Sequence, residues 1–501
     1  MRSGTRSRPE VGVAVIGAGP VGLTLAGRLA QQGVDVAIFD AAPMHAKEGS
    51  RALCMQRETL EIWARLGVGE AIAARGVQWN VGRTYFRGRE LFQTHLAANP
   101  DDHFPPFVNI SQTEVEGLLL ARLGELRVEP RWAVEVIGLT QDGEGVDLVF
   151  ADGRQIRASY AVGADGAHSG LRHALGLEFR GHSFQDLFLI ADVRARLPFP
   201  AERRFFFDPP WNPGRQVLIH PQPDDVWRID WQVPSGTDTS AMDGRIRAVI
   251  GPDVPYELVW LTAYRFSQRL VDRFRVGRVF LAGDAAHLMA PFGARGLNSG
   301  VADAENLAWK LARVLSGADG ELLLDSYEAE RRPAAVENLA VTEETMRFMV
   351  PHGWWRRAWR NLVLRGSVRS RWLRRRVNSG RLAEPTTYAA PPGPPDGSLP
   401  RHGAVAPDGP LGAGRLRDRI GRGFVLLLVG MDRPSAEVGC ELLVAGEELA
   451  RRYGSQPRAW LIRPDGHIAD SLALASDAAL AELPAFVARG TIPRAPTYYS
   501  P

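Results

Sequence analysis

Two apolar runs, Val11 to Ile16 and Val34 to Phe39, bracket the hexapeptide Gly17-Ala18-Gly19-Pro20-Val21-Gly22 and a helix-like run, Leu23 to Gln32. The second apolar run ends on Asp40. This strand–turn–helix–strand–acid series constrains the fold more than anything else in the chain. Gly17 allows a tight turn, Gly19 lets backbone approach a pyrophosphate, and Gly22 lets helix pack on strand. An acid about 20 residues on accepts from a ribose hydroxyl. Gly17, Gly19, Pro20, Val21, Gly22 and Asp40 are therefore candidate contacts to a dinucleotide. The series alone does not separate FAD from NAD.

A second stretch, Gly283 to Gly300, follows the short strand Arg278 to Leu281 and leads into a helical pattern, Ala302 to Leu315. The peptide N–H groups of Gly296, Leu297 and Asn298 then fall at a helix start, where free donors and the helix dipole favour an anion. Asp284, at the strand end, is placed to accept from sugar hydroxyls. One large ligand spanning both stretches, FAD, is the reading that unites them.

At 501 residues the chain is too long for one ordinary core, and two or three domains are expected. A formal net charge of +3 gives no argument for nucleic acid. Two distant cysteines, Cys54 and Cys440, exclude a disulfide framework and suit a reducing cytosol. The basic start MRSGTRSRPE lacks the apolar region of a signal peptide, and the longest plain apolar run, Phe424 to Val429, is far too short to span a bilayer. A cytoplasmic location is expected. No Ser-His-Asp spacing or His/Cys cluster suggests a nucleophile or a metal.

Between these stretches the order of motifs is informative. Arg51 precedes a helix, Glu58 to Leu66, and reads as a phosphate fork or a solvated surface arginine. Ser111 and Glu114 form a capping box for a helix reaching Leu123, with Gln112 in its first turn. Gln112 reads equally as a ligand contact or an exposed polar residue. Tyr160 to Gly163 is a strand ending in Ala164-Asp165-Gly166, with Ser169 near the cap of the next helix. From about Gln185 to Phe266 the βα alternation gives way to long strands typical of an antiparallel sheet. In one of them Trp227, Ile229 and Trp231 share a face and Arg228, Asp230 and Gln232 the other. Either face is free to roof a pocket. Pro333 should bend or interrupt a helix from Leu322 to Met349. Trp354 to Arg381 is a basic helical segment with four tryptophans. It reads as a membrane-surface or nucleic-acid helix, or, as preferred here, a packing helix with a solvated arginine face. The linker Ala390 to Gly397 precedes a β-β-α ending without Cys-x-x-Cys.

Together the three ordered motifs, Gly17 to Gly22, Asp165-Gly166 and Gly283-Asp284, resemble the single-component, class A flavin aromatic hydroxylases typified by para-hydroxybenzoate hydroxylase and phenol hydroxylase. The likeness continues through Pro291-Phe292-Gly293, Gly296, Asn298 and Asn306 to Leu311, and covers roughly residues 11 to 350. It implies an α/β fold: a Rossmann-type FAD-binding domain, an inserted antiparallel β-sheet substrate domain and a small thioredoxin-like C-terminal domain. The expected boundaries are 10–184 and 271–350 for the FAD-binding parts, with an excursion near 80–108. The substrate domain is expected at 185–270, the basic segment at 351–389 and the tail at 397–501.

Carried over by residue, the resemblance places Arg51, Gln112, Asp165, Gly166, Gly283 and Asp284 near the FAD phosphates and ribityl chain, and Asp40 at the adenosine ribose. Val134 joins the cofactor-binding set. Leu297 and Asn298 would offer amides to the flavin pyrimidine edge, with Gly296 before them and Pro291 beside the ring. The usual Gly-Gly-x-Gly reads Gly293-Ala294-Arg295-Gly296, a departure placed at Arg295. His220, Trp231 and Phe292, with Pro291, are the candidates for lining the substrate pocket. His287 is read as structural rather than as a base.

The activity implied is oxygenation of a phenolic or polyketide-type aromatic with NAD(P)H and O2, through a flavin C4a-hydroperoxide. Baeyer–Villiger insertion on the same scaffold, or a non-catalytic flavoprotein, are the alternatives. Expected partners are a small aromatic substrate, with no nucleic acid and no membrane; a homodimer is left open.

Overall fold

The computed structural model describes residues 9–46, 49, 52–96, 102–238, 241–351, 353–377, 385–390, 397–435, 437–474 and 476–491. Arg51 lies outside the described residues. The first sheet has five parallel neighbours in the order Val279–Leu281, Gln155–Gly163, Val11–Ile16, Val36–Phe39, Pro130–Arg131. Val13, Ala14 and Val15 have no exposed surface, as a parallel strand covered on both faces requires. An antiparallel pair, Val136–Gln141 and Val146–Phe150, extends this sheet along the first half of Gln155–Gly163. Helix Pro20–Gln31 opens on a proline, whose missing N–H would have had no helical partner anyway, and packs on helix Gly296–Leu315.

A second, seven-stranded sheet runs Glu257–Tyr264, Leu187–Arg194, Val226–Val233, Gln216–Pro221, Arg203–Phe207, Val81–Phe86, Arg89–His95. The last two strands come from the earlier part of the chain and join through one parallel pairing, Arg203–Phe207 with Val81–Phe86. The faces of this sheet differ. Leu189, Val217, Trp227, Ile229 and Trp231 lie under helix Met242–Ile250. Trp231 is 1 % exposed within that cluster, so it belongs to the sheet's own core and does not line the pocket. The expectation for Trp231 is corrected. The strand's alternation was legible, but the helix that covers one face is contributed by residues beyond the strand.

Helix Leu322–Met349 runs through Pro333 without ending there. Tyr327, Arg331, Ala334 and Ala335 around the proline are buried, and that packing outweighs one lost backbone bond. The basic segment forms two helices, Trp354–Ser367 and Arg371–Val377. Val363, Leu364 and Val377 pack inward, but Trp354, Trp355, Trp359 and Trp372 stand exposed. The solvated face is therefore aromatic as well as cationic, unlike the arginine face expected.

The tail forms a four-stranded sheet, Glu441–Val444, Val425–Val429, Arg458–Ile462, Ile468–Ala473. Its first pair is parallel and the others antiparallel. Helices Glu447–Tyr453, Asp477–Ala481 and Leu483–Thr491 accompany it.

Candidate functional site

Four parallel strands end at Gly17, Asp40, the Ala164-Asp165 turn and the Gly283-Asp284 turn. Ligands of open α/β sheets bind at those carboxyl ends. The glycines there are required by close approach. A Cβ on Gly17, whose φ is +106°, would lie 2.3 Å from the Ala164 carbonyl oxygen, and one on Gly22 1.9 Å from that of Gly17. The third motif closes on the first: a Cβ on Gly283 or Gly300 would come within 3.0 or 2.6 Å of Val21 Cγ2. Asp284 Oδ1 lies 4.0 Å from the Cβ position of Gly296. All three motifs thus face one cleft.

Asp40 bridges the glycine turn, Oδ2 accepting from Ala18 N–H at 2.6 Å and Oδ1 from Ala42 N–H at 2.8 Å. Each oxygen keeps a lone pair for a ribose. Val134 sits behind it, nearly buried, donating N–H to the Asp40 carbonyl at 2.8 Å. Asp165 Oδ2 accepts from Leu171 N–H at 3.1 Å, whereas Oδ1 is buried with no hydrogen-bond partner. Burial pushes this carboxyl's pKa up. An orphaned acceptor beside the glycine turn, where Gly166 adopts φ +77°, is what a bound ligand would satisfy. Gln112 accepts from Ala52 N–H at 3.2 Å and donates to Glu116 at 2.9 Å, fastening the chain just past residue 51. The capping box is half formed: Ser111 Oγ accepts from Glu114 N–H, but the Glu114 side chain pairs with Arg75. The cleft's residues fit FAD.

At the helix start, Ser299 N–H makes the first rung, to Arg295 O at 2.8 Å. The amides of Gly296, Leu297 and Asn298 fall outside the ladder, at the positive end of a 20-residue helix. The Asn298 side chain is a clamp. Its Oδ1 accepts from Gln56 N–H at 2.9 Å and Thr59 Oγ1 at 2.6 Å, and its Nδ2 donates to Cys54 O at 3.0 Å. Gln56 and Thr59 escaped the sequence reading because nothing local links them to a residue 240 positions on. The motif's departure falls at Ala294, which takes φ +51°, a region glycine prefers. Arg295 occupies the variable position and donates to Asn338.

Pro291 is exposed at the loop's tip, and Phe292 turns inward, its ring 5.9 Å from that of Phe188. Phe188, Phe205, Phe207 and Phe266 complete an aromatic wall on the sheet's inner face. The same face turns polar one row away. Asp192 holds Arg228 by two bonds of 2.8 Å and takes Gln222 Nε2 at 2.8 Å. His220 lies 3.9 Å from Cys54 Sγ and 3.4 Å from Asn109 Nδ2. Burial, aided by Arg203 and Arg228, drives its pKa well below the usual value, so it is neutral. Burial raises Cys54 to about 12, leaving an inert thiol. Asp230 Oδ1 is buried without a hydrogen-bond partner, and burial, against the pull of Arg228, lifts its carboxyl to about 7. Arg203 lies over the ring of Phe205 at 5.4 Å and has no ion-pair partner among the described residues. Arg203, Asp192 and Asp230 were not among the sequence candidates. The period-two polar set Arg228-Asp230-Gln232 signalled Asp230, whereas Asp192 and Arg203 come from other strands that only the sheet brings beside it.

His287 is fully buried, its Nε2 2.7 Å from Asp303 Oδ2. Asp303 also accepts from Gly283 N–H at 3.0 Å and from Arg331 Nε at 2.7 Å. This ties the Gly-Asp motif to two helices, the structural role expected of His287. Among the described residues no His/Cys/Asp/Glu group is arranged to hold a metal, and no helix is long and apolar enough to cross a membrane.

The FAD binding domain family matches residues 10–342. A flavin-dependent monooxygenase of Mycobacteroides abscessus is 35% identical over 358 residues, covering 66% of this chain and 73% of that one. A 6-methylpretetramide 4-monooxygenase of Streptomyces rimosus is 36% identical over 66% of this chain, which spans 60% of that enzyme. The solved structure of the rebeccamycin biosynthetic enzyme RebC with reduced flavin superposes with a TM-score of 0.77 at 26% identity, over 97% of this chain and 100% of that one. The chain belongs to the FAD binding domain family and is a class A FAD-dependent monooxygenase.

Proposed function

We propose that this monooxygenase oxygenates a phenol-like aromatic ring held between Pro291-Phe292 and the inner face of the seven-stranded sheet. The observation that carries the reading is the polarity gradient on that face. An aromatic wall (Phe188, Phe205, Phe207, Phe292) adjoins a half-buried acid and a half-buried cation, Asp230 and Arg203, that form no ion pair among the described residues. Bound FAD, reduced by NAD(P)H, supplies the oxygen-activating chemistry. The chain supplies the rest. The amides of Leu297 and Asn298 stabilise negative charge at their end of the ligand. The phenylalanines exclude water, and the polar row orients hydroxyl or acidic substituents of the substrate so that one ring carbon faces the loop. Aromatic substrates in the names of relatives, such as 4-methyl-5-nitrocatechol and 6-methylpretetramide, accord with this.

We assign the tail a thioredoxin-like fold without redox function. Its strand order, one parallel and two antiparallel pairings, supports the fold, and the lone, partly buried Cys440, raised to about 11 by burial, supports the silence. Free cysteines accord with work in a reducing cytosol. The test is a screen of phenols, salicylates and polyketide aromatics for substrate-stimulated NAD(P)H oxidation with oxygenated product. Oxidation that yields only hydrogen peroxide for every compound of these classes would overturn the reading.

A further inference from the structure

The helix Trp354–Ser367 has two apolar faces. One carries Val363 and Leu364 into the aromatic cluster beneath it, with Arg360 donating to the Met349 carbonyl. On the opposite face Trp355, Trp359 and Leu362, at i, i+4 and i+7, are 71%, 54% and 63% exposed. Trp354 stacks on Trp355 at 3.8 Å, and Val368 and Trp372 continue the exposed apolar surface past the helix end. Arg356, Arg357, Arg365 and Arg369 are exposed around it. From residue 353 to 377 the sequence holds nine arginines and no acidic residue.

We propose that this face docks the enzyme on an anionic phospholipid surface, the helix lying in the plane of the headgroups. Tryptophan and leucine beside an all-arginine charge set match the chemistry of that interface, where aromatic rings sit at headgroup level and cations meet lipid phosphates. A second copy of the chain is the poorer occupant. A two-fold contact through this face would set its arginines against their own kind with no acid on the helix to relieve them. The docked enzyme remains peripheral.

The test uses the FAD-loaded full chain with vesicles of phosphatidylcholine alone or mixed with phosphatidylglycerol. Cosedimentation and a blue shift of tryptophan emission are expected with the mixed vesicles only, weakening as salt screens the charges. Trp355→Ala/Trp359→Ala/Leu362→Ala should lower the bound fraction about tenfold while FAD content and NAD(P)H oxidation stay at the parent level. Arg356→Gln/Arg357→Gln/Arg365→Gln should abolish the preference for anionic lipid. Equal binding to both vesicles, or none to either, overturns the proposal. So does retention on duplex DNA with vesicles ignored, or a solution dimer that the triple alanine variant dissociates.

Discussion

Two buried polar clusters flank the flavin cleft, and they are built on opposite principles. Behind the cleft every carboxylate is answered, and the orphaned atoms are the Nδ1 nitrogens of His287 and His467. Asp303 is shared by His287, Arg331 and Gly283 N–H. Glu330 takes Lys310 at 2.7 Å and both Nη atoms of Arg463, at 2.6 and 2.9 Å. Asp465 reaches back to Asn306 and Trp309 on the helix that carries the cleft's amides. On the sheet face in front, Asp192 and Arg228 pair, but Asp230 and Arg203 have no ion-pair partner among the described residues. A satisfied network fixes geometry, whereas an unsatisfied one stores binding capacity. The rear cluster is scaffold and the front cluster is recognition.

The largest expected effect comes from breaking the rear. Asp303→Ala strands Arg331 and His287 in the interior and should cost about 3–5 kcal/mol, with loss of retained FAD, read by chemical unfolding and flavin absorbance. Substituting the front should do the reverse. Asp230→Asn should leave stability unchanged or slightly raised while kcat/KM for the best phenol falls about 10–100-fold, equivalent to about 1.4–2.7 kcal/mol. Equal destabilisation by both variants would erase the distinction.

Titration sharpens it. Arg463 and Lys310 outweigh burial and hold Glu330 down at about 2. Its contribution is therefore complete above its ordinary value of 4.5 and lost as pH falls through about 2. Asp230 runs the other way. Its pKa is raised to about 7, so its proton favours the folded state, fully below 3.8, and that contribution disappears as pH rises through 7. Against the parent, as pH rises from acid to neutral, the melting temperature of Glu330→Gln should fall behind and that of Asp230→Asn should pull ahead, two divergences of opposite sign. The smallest effect belongs to the loop between the clusters. Ala294→Gly should relieve the left-handed backbone and, after the entropy of a freer unfolded chain, gain about 0–1 kcal/mol in a thermal melt.

The legible parts of this molecule are those whose causes are local. Gly22 announces a close approach to Gly17 within one turn of chain, and the strand–turn–helix context made the cleft readable although Gly17 and Gly283 meet partners far along the sequence. The capping serines behaved likewise: Ser111 and Ser169 accept from Glu114 and Arg172 N–H as their spacing implied. Trp231 was misplaced because a period-two pattern divides a strand into faces without saying which one a distant helix will cover. Asn298 was rightly singled out, but its side chain's partners, Gln56 and Thr59, are joined to it only by the fold. The basic helix carries apolar residues on both sides, so its periodicity could not reveal which stripe faces solvent.

The bonds from Arg463 and Asp465 also impose an order in time. The helix Gly296–Leu315 completes its buried charges only with residues made much later. At ordinary elongation rates roughly 150 further residues take about 8–30 s to appear. During that interval Lys310 and Glu330 await the guanidinium that completes their set. Nascent chains arrested before residue 458 should consequently bind FAD weakly, and those released whole should bind it tightly, a contrast that flavin fluorescence on stalled ribosomes can measure. On this expectation the cofactor would be a late arrival, admitted once the last hundred residues are in place.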